Sequence, residues 1–316
     1  MSTPDTLRPS GGTAARIVGL LAPLRRWTAA ILVANLAGQI GIIVTGGAVR
    51  LTESGLGCST WPECEPGHFT PQFHEATTLH PYIEFGNRTL TGLLGIIALA
   101  VFLVMITDLT RPRAYRLLGL VPGLGVVAQA VIGGIVVLLD LHPGWVSLHF
   151  GVSATLVAFS LYLVHRHGEG DAAPRVVVPR TARLLAWALA ALTAVVVVLG
   201  VLTTGAGPHS GDAEVGYRLA LDPDLLSKWH AAAVWAFLLA LAAYVVVLYR
   251  ASDDDAAVPR ARSAAWLLAA ITLAQGGIGY VQYFTGLPAL LVGLHMLGAA
   301  LLIAGSTRVV LTTRVR

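Results

Sequence analysis

Charge is what this chain of 316 residues has least of. Asp, Glu, Lys and Arg make up only 12% of it, against 55% hydrophobic residues. A soluble domain of this length needs a charged surface, so the deficit excludes that class and points to an integral membrane protein. Clustered basic patches are missing too. The formal net charge is +4, but the positives are nearly all arginines in short loops between apolar runs, which excludes a nucleic-acid binder. Cysteine is scarce: Cys58 and Cys64, in one predicted loop, are the only two. Such a pair is a disulfide if the loop faces an oxidising compartment, or a weak metal motif if it does not.

Long apolar runs are abundant. Spanning a bilayer takes about 20 apolar residues. Eight segments qualify, at 27–48, 88–107, 115–139, 146–165, 182–204, 229–250, 263–284 and 289–310. The expected fold is therefore an all-α polytopic membrane protein, its eight transmembrane helices arranged as two similar four-helix bundles. Residues 1–26 read as a cytoplasmic tail. Residues 27–167 form the N-terminal bundle, with a long outer loop at 49–87. A cytoplasmic linker follows at 168–181, then the C-terminal bundle at 182–316, with a second outer loop at 205–228.

The sparse charges set the orientation. Of the 21 Lys and Arg, all but Arg50, Arg88, Arg218 and Lys228 fall in the tail, the alternate loops and the C-terminus. The positive-inside rule makes both termini cytoplasmic, in a cell membrane. Most acids lie on the other side; Asp253-Asp254-Asp255 is an exception, read as a solvated inner turn. Cys58 and Cys64 are then outside, where a disulfide persists.

The chain repeats itself. Gln129 precedes Ile132-Gly133-Gly134 and then His149; Gln275 precedes Gly276-Gly277 and then His295, with 20 residues from Gln to His in both cases. Thr45-Gly46-Gly47 echoes Thr203-Thr204-Gly205. This is an internal duplication pairing segments one to four with five to eight. In that register Asn87 stands where His230 stands. An ionisable side chain inside an apolar span is costly, and its default reading is functional.

Asn87, His149, His230 and His295 all lie near the outer ends of even-numbered helices. Two histidines on separate helices of an apolar bundle suit a haem, whose iron takes axial imidazoles. Zinc suits less well, for want of four ligands. Gly133, Gly134, Gly276 and Gly277 would let backbones, or a flat ring, come close. His68, His74, His80 and His142 read as loop residues, His165 and His167 as a helix end needing no function. His209 is intermediate, close above the second bundle. Glu84 lies three residues before Asn87, on the same helix face. It is either a proton-handling carboxylate or an interfacial acid paired with Arg88 or Arg50. Those arginines and Arg218 could equally bind carboxylates such as porphyrin propionates.

The stretch Gly46-Gly47-Ala48-Val49-Arg50-Leu51-Thr52-Glu53-Ser54-Gly55-Leu56-Gly57-Cys58, followed by Trp61-Pro62-Glu63-Cys64, resembles the first outer loop of the haem A synthase family. So do Ile83-Glu84-Phe85-Gly86-Asn87-Arg88, Thr204-Gly205-Ala206-Gly207-Pro208-His209-Ser210-Gly211-Asp212 and the Gln-to-His segments, in the right order over nearly the whole chain. The resemblance implies an oxidoreductase that converts the C8 methyl of haem O to the formyl of haem A for terminal oxidases. It implies haem b in the C-terminal bundle on His230 and His295, and substrate haem O in the N-terminal one with His149 as a substrate-side ligand of its iron. Glu84 would be the catalytic carboxylate, and Cys58 and Cys64 match a cysteine pair of some members. A haem O synthase and an electron donor or acceptor are the implied partners, besides membrane lipid. Two departures stand out: many members have histidine at the place of Asn87, and some have a second cysteine pair in the third outer loop.

The alternatives are a dihaem electron carrier of the cytochrome b kind and, more weakly, a haem transporter. The unequal histidine pairs favour the enzyme. The orientation has its own check. After reduction, an impermeant thiol reagent should label the Cys58 loop in intact cells; labelling that requires broken cells would invert the topology.

Overall fold

A computed structural model describes residues 19–73, 78–215, 217–251 and 257–316. Arg8, Arg16, His74, Glu75 and Asp253-Asp254-Asp255 lie outside the described residues. Among the described residues, eight helices are long and apolar enough to cross a membrane. They are α1 Thr28–Leu51, α2 His80–Ile106, α3 Leu120–Leu138, α4 Pro143–Gly168, α5 Arg180–Ala206, α6 Pro223–Arg250, α7 Ala257–Phe284 and α8 Ala289–Leu311. A 3-10 turn, Ala22–Trp27, leads into α1, and a short helix, Arg113–Leu117, leads into α3. The protein is an all-α, multi-pass membrane protein.

Several helices start earlier than hydropathy indicates. Helix α2 begins at His80 rather than 88, and α6 at Pro223 rather than 229. Charged side chains near the ends, such as Arg88 and Lys228, depress the apolar average without breaking the helix. The true starts are marked by proline in the first turn, where its missing N–H costs nothing. Asp222 caps α6 by accepting from the amides of Asp224 at 2.9 Å and Leu225 at 3.3 Å. His142 does likewise for α4, accepting from Gly144 at 3.2 Å. Glu84 and Asn87 therefore sit one to two turns inside α2, and the long outer loop shrinks to about 52–79.

Helix neighbours form two rings. Helices α1, α2, α3 and α4 each pack against the next and α4 returns to α1; α5 to α8 repeat the pattern. The rings meet through α1 on α8, α4 on α8 and α4 on α5, the arrangement a two-fold exchange of the halves generates. Small residues allow the approach: Gly47 on α1 lies against Met296 on α8, and a Cβ there would come within 2.6 Å of its sulfur. Ile43, Val157, Ala300 and Ile303 fill the seam.

The halves share internal polar bolts. Asn35 on α1 donates to Ser160 on α4 at 2.8 Å. Thr193 on α5 and Ser306 on α8 share a hydrogen bond of 2.6 Å. The two pairs correspond in the duplication: Asn35 and Thr193 each precede their threonine (Thr45, Thr203) by ten residues. Each bond lies in an apolar interior, where an unpaired hydroxyl or amide is expensive.

On the linker face, a two-residue ladder pairs β1 Arg175–Val176 with β2 Arg314–Val315. Hydropathy gives no sign of it, because two residues carry no period. Arg166 and Arg111 both pair with Asp171, at 2.6 and 3.1 Å, and Arg111 stacks over Tyr115 at 4.0 Å. The linker and the C-terminal strand thus lie on one face, opposite the loops 52–79 and 207–222.

The internal bolts give a measurable quantity. A double-mutant cycle of Thr193→Val and Ser306→Ala, read by reversible unfolding in mixed micelles, should give a coupling of about 0.5–2 kcal/mol. Zero coupling would show that each hydroxyl finds another partner.

Candidate functional site

The apolar cores of both rings are built toward the linker face. One comprises Leu32, Val101, Val104, Met105 and Leu163; the other is centred on Phe237, Leu241, Tyr244 and Leu248. The intramembrane histidines lie toward the opposite, loop-bearing ends.

His230 on α6 and His295 on α8 face each other across the C-terminal ring, with ring centroids 6.3 Å apart and planes at 66°. The Nδ1 of His230 donates to the Val196 carbonyl at 3.0 Å. That bond fixes the tautomer and leaves the Nε2 lone pair available to a metal. The centroid separation leaves room between the rings for a metal-bearing group that His230 and His295 would hold. The Nδ1 of His295 is buried and has no protein partner.

Glycines on the preceding helices receive the rings. A Cβ at Gly200 would stand 3.1 Å from Cε1 of His230, and one at Gly279 would stand 3.4 Å from Cε1 of His295. Gly133 does the same for His149, at 3.4 Å. Gly133 and Gly279 each precede their histidine by sixteen residues, a correspondence that could have been read from the repeat. A Cβ added at Gly276 or Gly277, both expected to serve close approach, would meet no other part of the described residues within 4 Å. Glutamines support the histidines from behind. Gln129 donates to the His149 carbonyl at 3.0 Å and also to Ser153, and Gln275 donates to the His295 carbonyl at 2.9 Å.

The N-terminal ring is built differently at one corner. Asn87 occupies the His230 position, and its side-chain oxygen accepts from Thr45 at 2.8 Å. In the repeat, Gly200 corresponds to Ile42, each three residues before its threonine. His149 is half-buried, and its Nδ1 has no protein partner.

Glu84 is buried, 5% exposed. Its Oε2 accepts from the Cys58 amide at 2.7 Å, and Oε1 accepts from Arg88, whose Nε is 3.1 Å away. Of the two partners open for this acid, the structure thus selects Arg88. Cys58 and Cys64 are joined in a disulfide.

The arginines considered for carboxylate binding are engaged with backbone. Arg88 Nη1 donates to the carbonyls of Thr60 at 2.9 Å and Glu63 at 3.1 Å. Arg50 donates to those of His209 at 2.8 Å and Thr204 at 3.0 Å. Arg218 donates to Gly207 and Pro208, both at 2.8 Å, and to Val215 and Tyr217. His209 itself donates from Nε2 to the Leu287 carbonyl at 3.1 Å. Away from the rings, His80 bonds Ser54 at 2.9 Å, His165 pairs with Glu169 and His167 meets Tyr115. The Glu65–His68 bridge turns the outer loop. Sequence reasoning missed Trp61, whose indole rests on Gly134 of α3. Only a loop folded back on the helices makes that contact.

Curated relatives named Heme A synthase include one from Symbiobacterium thermophilum, 34% identical over 181 residues, covering 54% of this chain and 57% of that protein. One from Lysinibacillus sphaericus is 34% identical over 137 residues, covering 42% and 41%. One from Exiguobacterium sibiricum is 27% identical over 171 residues, covering 52% and 55%. The chain spans about half the length of the curated relatives it matches. The profile of the COX15-CtaA family, described as cytochrome oxidase assembly proteins, matches residues 29–210, a stretch that holds the disulfide loop, Glu84, Asn87 and His149. With more than half its length matched, the chain belongs to the COX15-CtaA family of cytochrome oxidase assembly proteins.

Proposed function

We propose that this protein is a haem A synthase, an oxidoreductase that takes the C8 methyl group of haem O to the formyl group of haem A. The observation that carries the reading is the facing pair His230 and His295, one nitrogen fixed by a carbonyl and room between the rings for a metal-bearing group. Beside it stands a ring with one histidine, His149, at the matching depth among the described residues. A carrier of two permanent haems wants two firm ligands at each iron. Here the N-terminal ring offers His149, while the Asn87 oxygen is held by Thr45. That inequality favours a resident haem b in the C-terminal half and an exchangeable haem O, as substrate, in the N-terminal half.

When bound, haem b supplies one-electron transfer. The chain's own residues do the rest. His230 and His295 hold and orient that group, and Gly200 and Gly279 admit their rings. His149 offers one ligand to the substrate, leaving the other side for an oxygen species. Glu84, held by Arg88 and the Cys58 amide, keeps a carboxylate at the outer end of the same ring to hold or move a proton. With both termini cytoplasmic in a cell membrane, this chemistry takes place near the outer face. A haem O synthase would deliver the substrate, and a separate donor or acceptor would exchange electrons with the haem b.

Haem extracted from cells with and without the protein, separated by chromatography, tests the class: formyl haem should appear only when it is present. The purified protein should show a low-spin bis-imidazole spectrum that His230→Ala and His295→Ala each lose and His165→Ala keeps. Glu84→Ala should lower formyl haem at least about tenfold while leaving that spectrum intact. Glu84→Gln, which still accepts from the Cys58 amide, should do the same if the carboxylate handles protons. Asn87→His should shift the N-terminal site towards a bis-imidazole haem. Normal haem A production in both Glu84 variants would make the carboxylate structural.

A further inference from the structure

The outer loop bearing the disulfide is tied down by residues of the candidate site. The Cys58 amide is held by Glu84, and the carbonyls of Thr60 and Glu63 by Arg88. At the loop's base, Gly57 lies against the backbone of His80 and Pro81 so closely that any Cβ would collide. These ties fix what lies between the cysteines. The indole of Trp61 sits flat enough on Gly134 that a Cβ there would come within 2.6 Å of Cδ2, 2.9 Å of Cε3 and 3.0 Å of Cε2. The next residue back, Gly133, faces the His149 ring. Indole and imidazole therefore approach consecutive glycines of α3, one from the loop and one from α4. Trp61 is 36% exposed, so part of its surface is not covered by protein.

We propose that Trp61 is a positioning residue of the N-terminal haem site, a movable wall beside His149 whose loop, latched by Glu84 and Arg88, governs how fast a haem leaves. This rests on the reading of that ring as the substrate site. A planar aromatic is suited to lie against a porphyrin face or edge, where polarisable surfaces meet without polar atoms to desolvate. With one strong ligand at the iron, residence depends on such contacts more than in the bis-histidine ring. The latch also gives Glu84 and Arg88 a second role, because the carboxylate proposed for proton handling is attached to the loop that retains the substrate.

The test uses the full chain, purified in detergent and loaded with ferric haem b as the probe, with release followed by transfer to excess apomyoglobin. In the wild type, one released fraction should vanish in His149→Ala. Trp61→Ala should speed release of that fraction about tenfold, and Trp61→Phe by much less. Gly134→Ala keeps the indole but displaces it, and alanine favours the helix, so it should fold and also release faster. The low-spin haem of His230 and His295 should be unaffected in all three. Unchanged release in both Trp61→Ala and Gly134→Ala would overturn the wall while leaving the haem site standing. A wild type without any His149-dependent fraction would overturn the site reading, and the proposal with it.

Discussion

A glutamine amide bonded to the backbone carbonyl of a histidine on the next helix recurs in both halves, and the rest of the site depends on it. The carbonyls of His149 and His295 lie within helices, where the backbone already supplies one donor. Gln129 and Gln275 supply a second from α3 and α7. In an apolar interior a glutamine has few other partners, so the bond holds α3 beside α4 and α7 beside α8 at one depth. That depth sets each imidazole edge against a glycine sixteen residues before it. Remove the amide, and both the ring's height and its clearance are free to change.

Duplication explains the repeated parts, and the departures from it say more. The internal bolts, the glutamines, the histidines His149 and His295 and the glycines Gly133 and Gly279 all keep register. At one corner two positions differ together: His230 with Gly200 in one half, Asn87 with Ile42 in the other. The asparagine side chain reaches Thr45, whereas the imidazole of His230 stands against Gly200. The result is two similar rings that offer different numbers of imidazoles.

What the sequence made legible follows from how local the signals are. Eight spans, the duplication and the isolated histidines are properties of single segments, and each could be read from apolar runs and spacing. Helix ends were read short, because Arg88 and Lys228 lower the local hydropathy while Pro81, Pro223 and the Asp222 cap mark the true starts. Trp61, Gly200 and the β1–β2 ladder were not legible, since each acquires meaning only from a partner distant in the chain. The arginines lie between these cases. Their positions at the loop-bearing ends of the helices were plain, but guanidinium forks serve carboxylates and backbone carbonyls alike, and only the fold distinguishes them.

That choice of carbonyls has a structural consequence. Arg50, at the end of α1, reaches across to Thr204 and His209, at and beyond the end of α5, while the Gly55 amide donates to the Gly211 carbonyl at 2.7 Å. His209 continues the chain of contacts to Leu287, in the turn between α7 and α8. The outer loops of the two halves are therefore tied to each other as well as to their own helices. Charge-assisted bonds to carbonyls hold geometry without needing a second ion, which suits a loop that must keep shape at a membrane surface. A movement of the Cys58 loop large enough to free Trp61 must break the bonds from Glu84 and Arg88 that hold it.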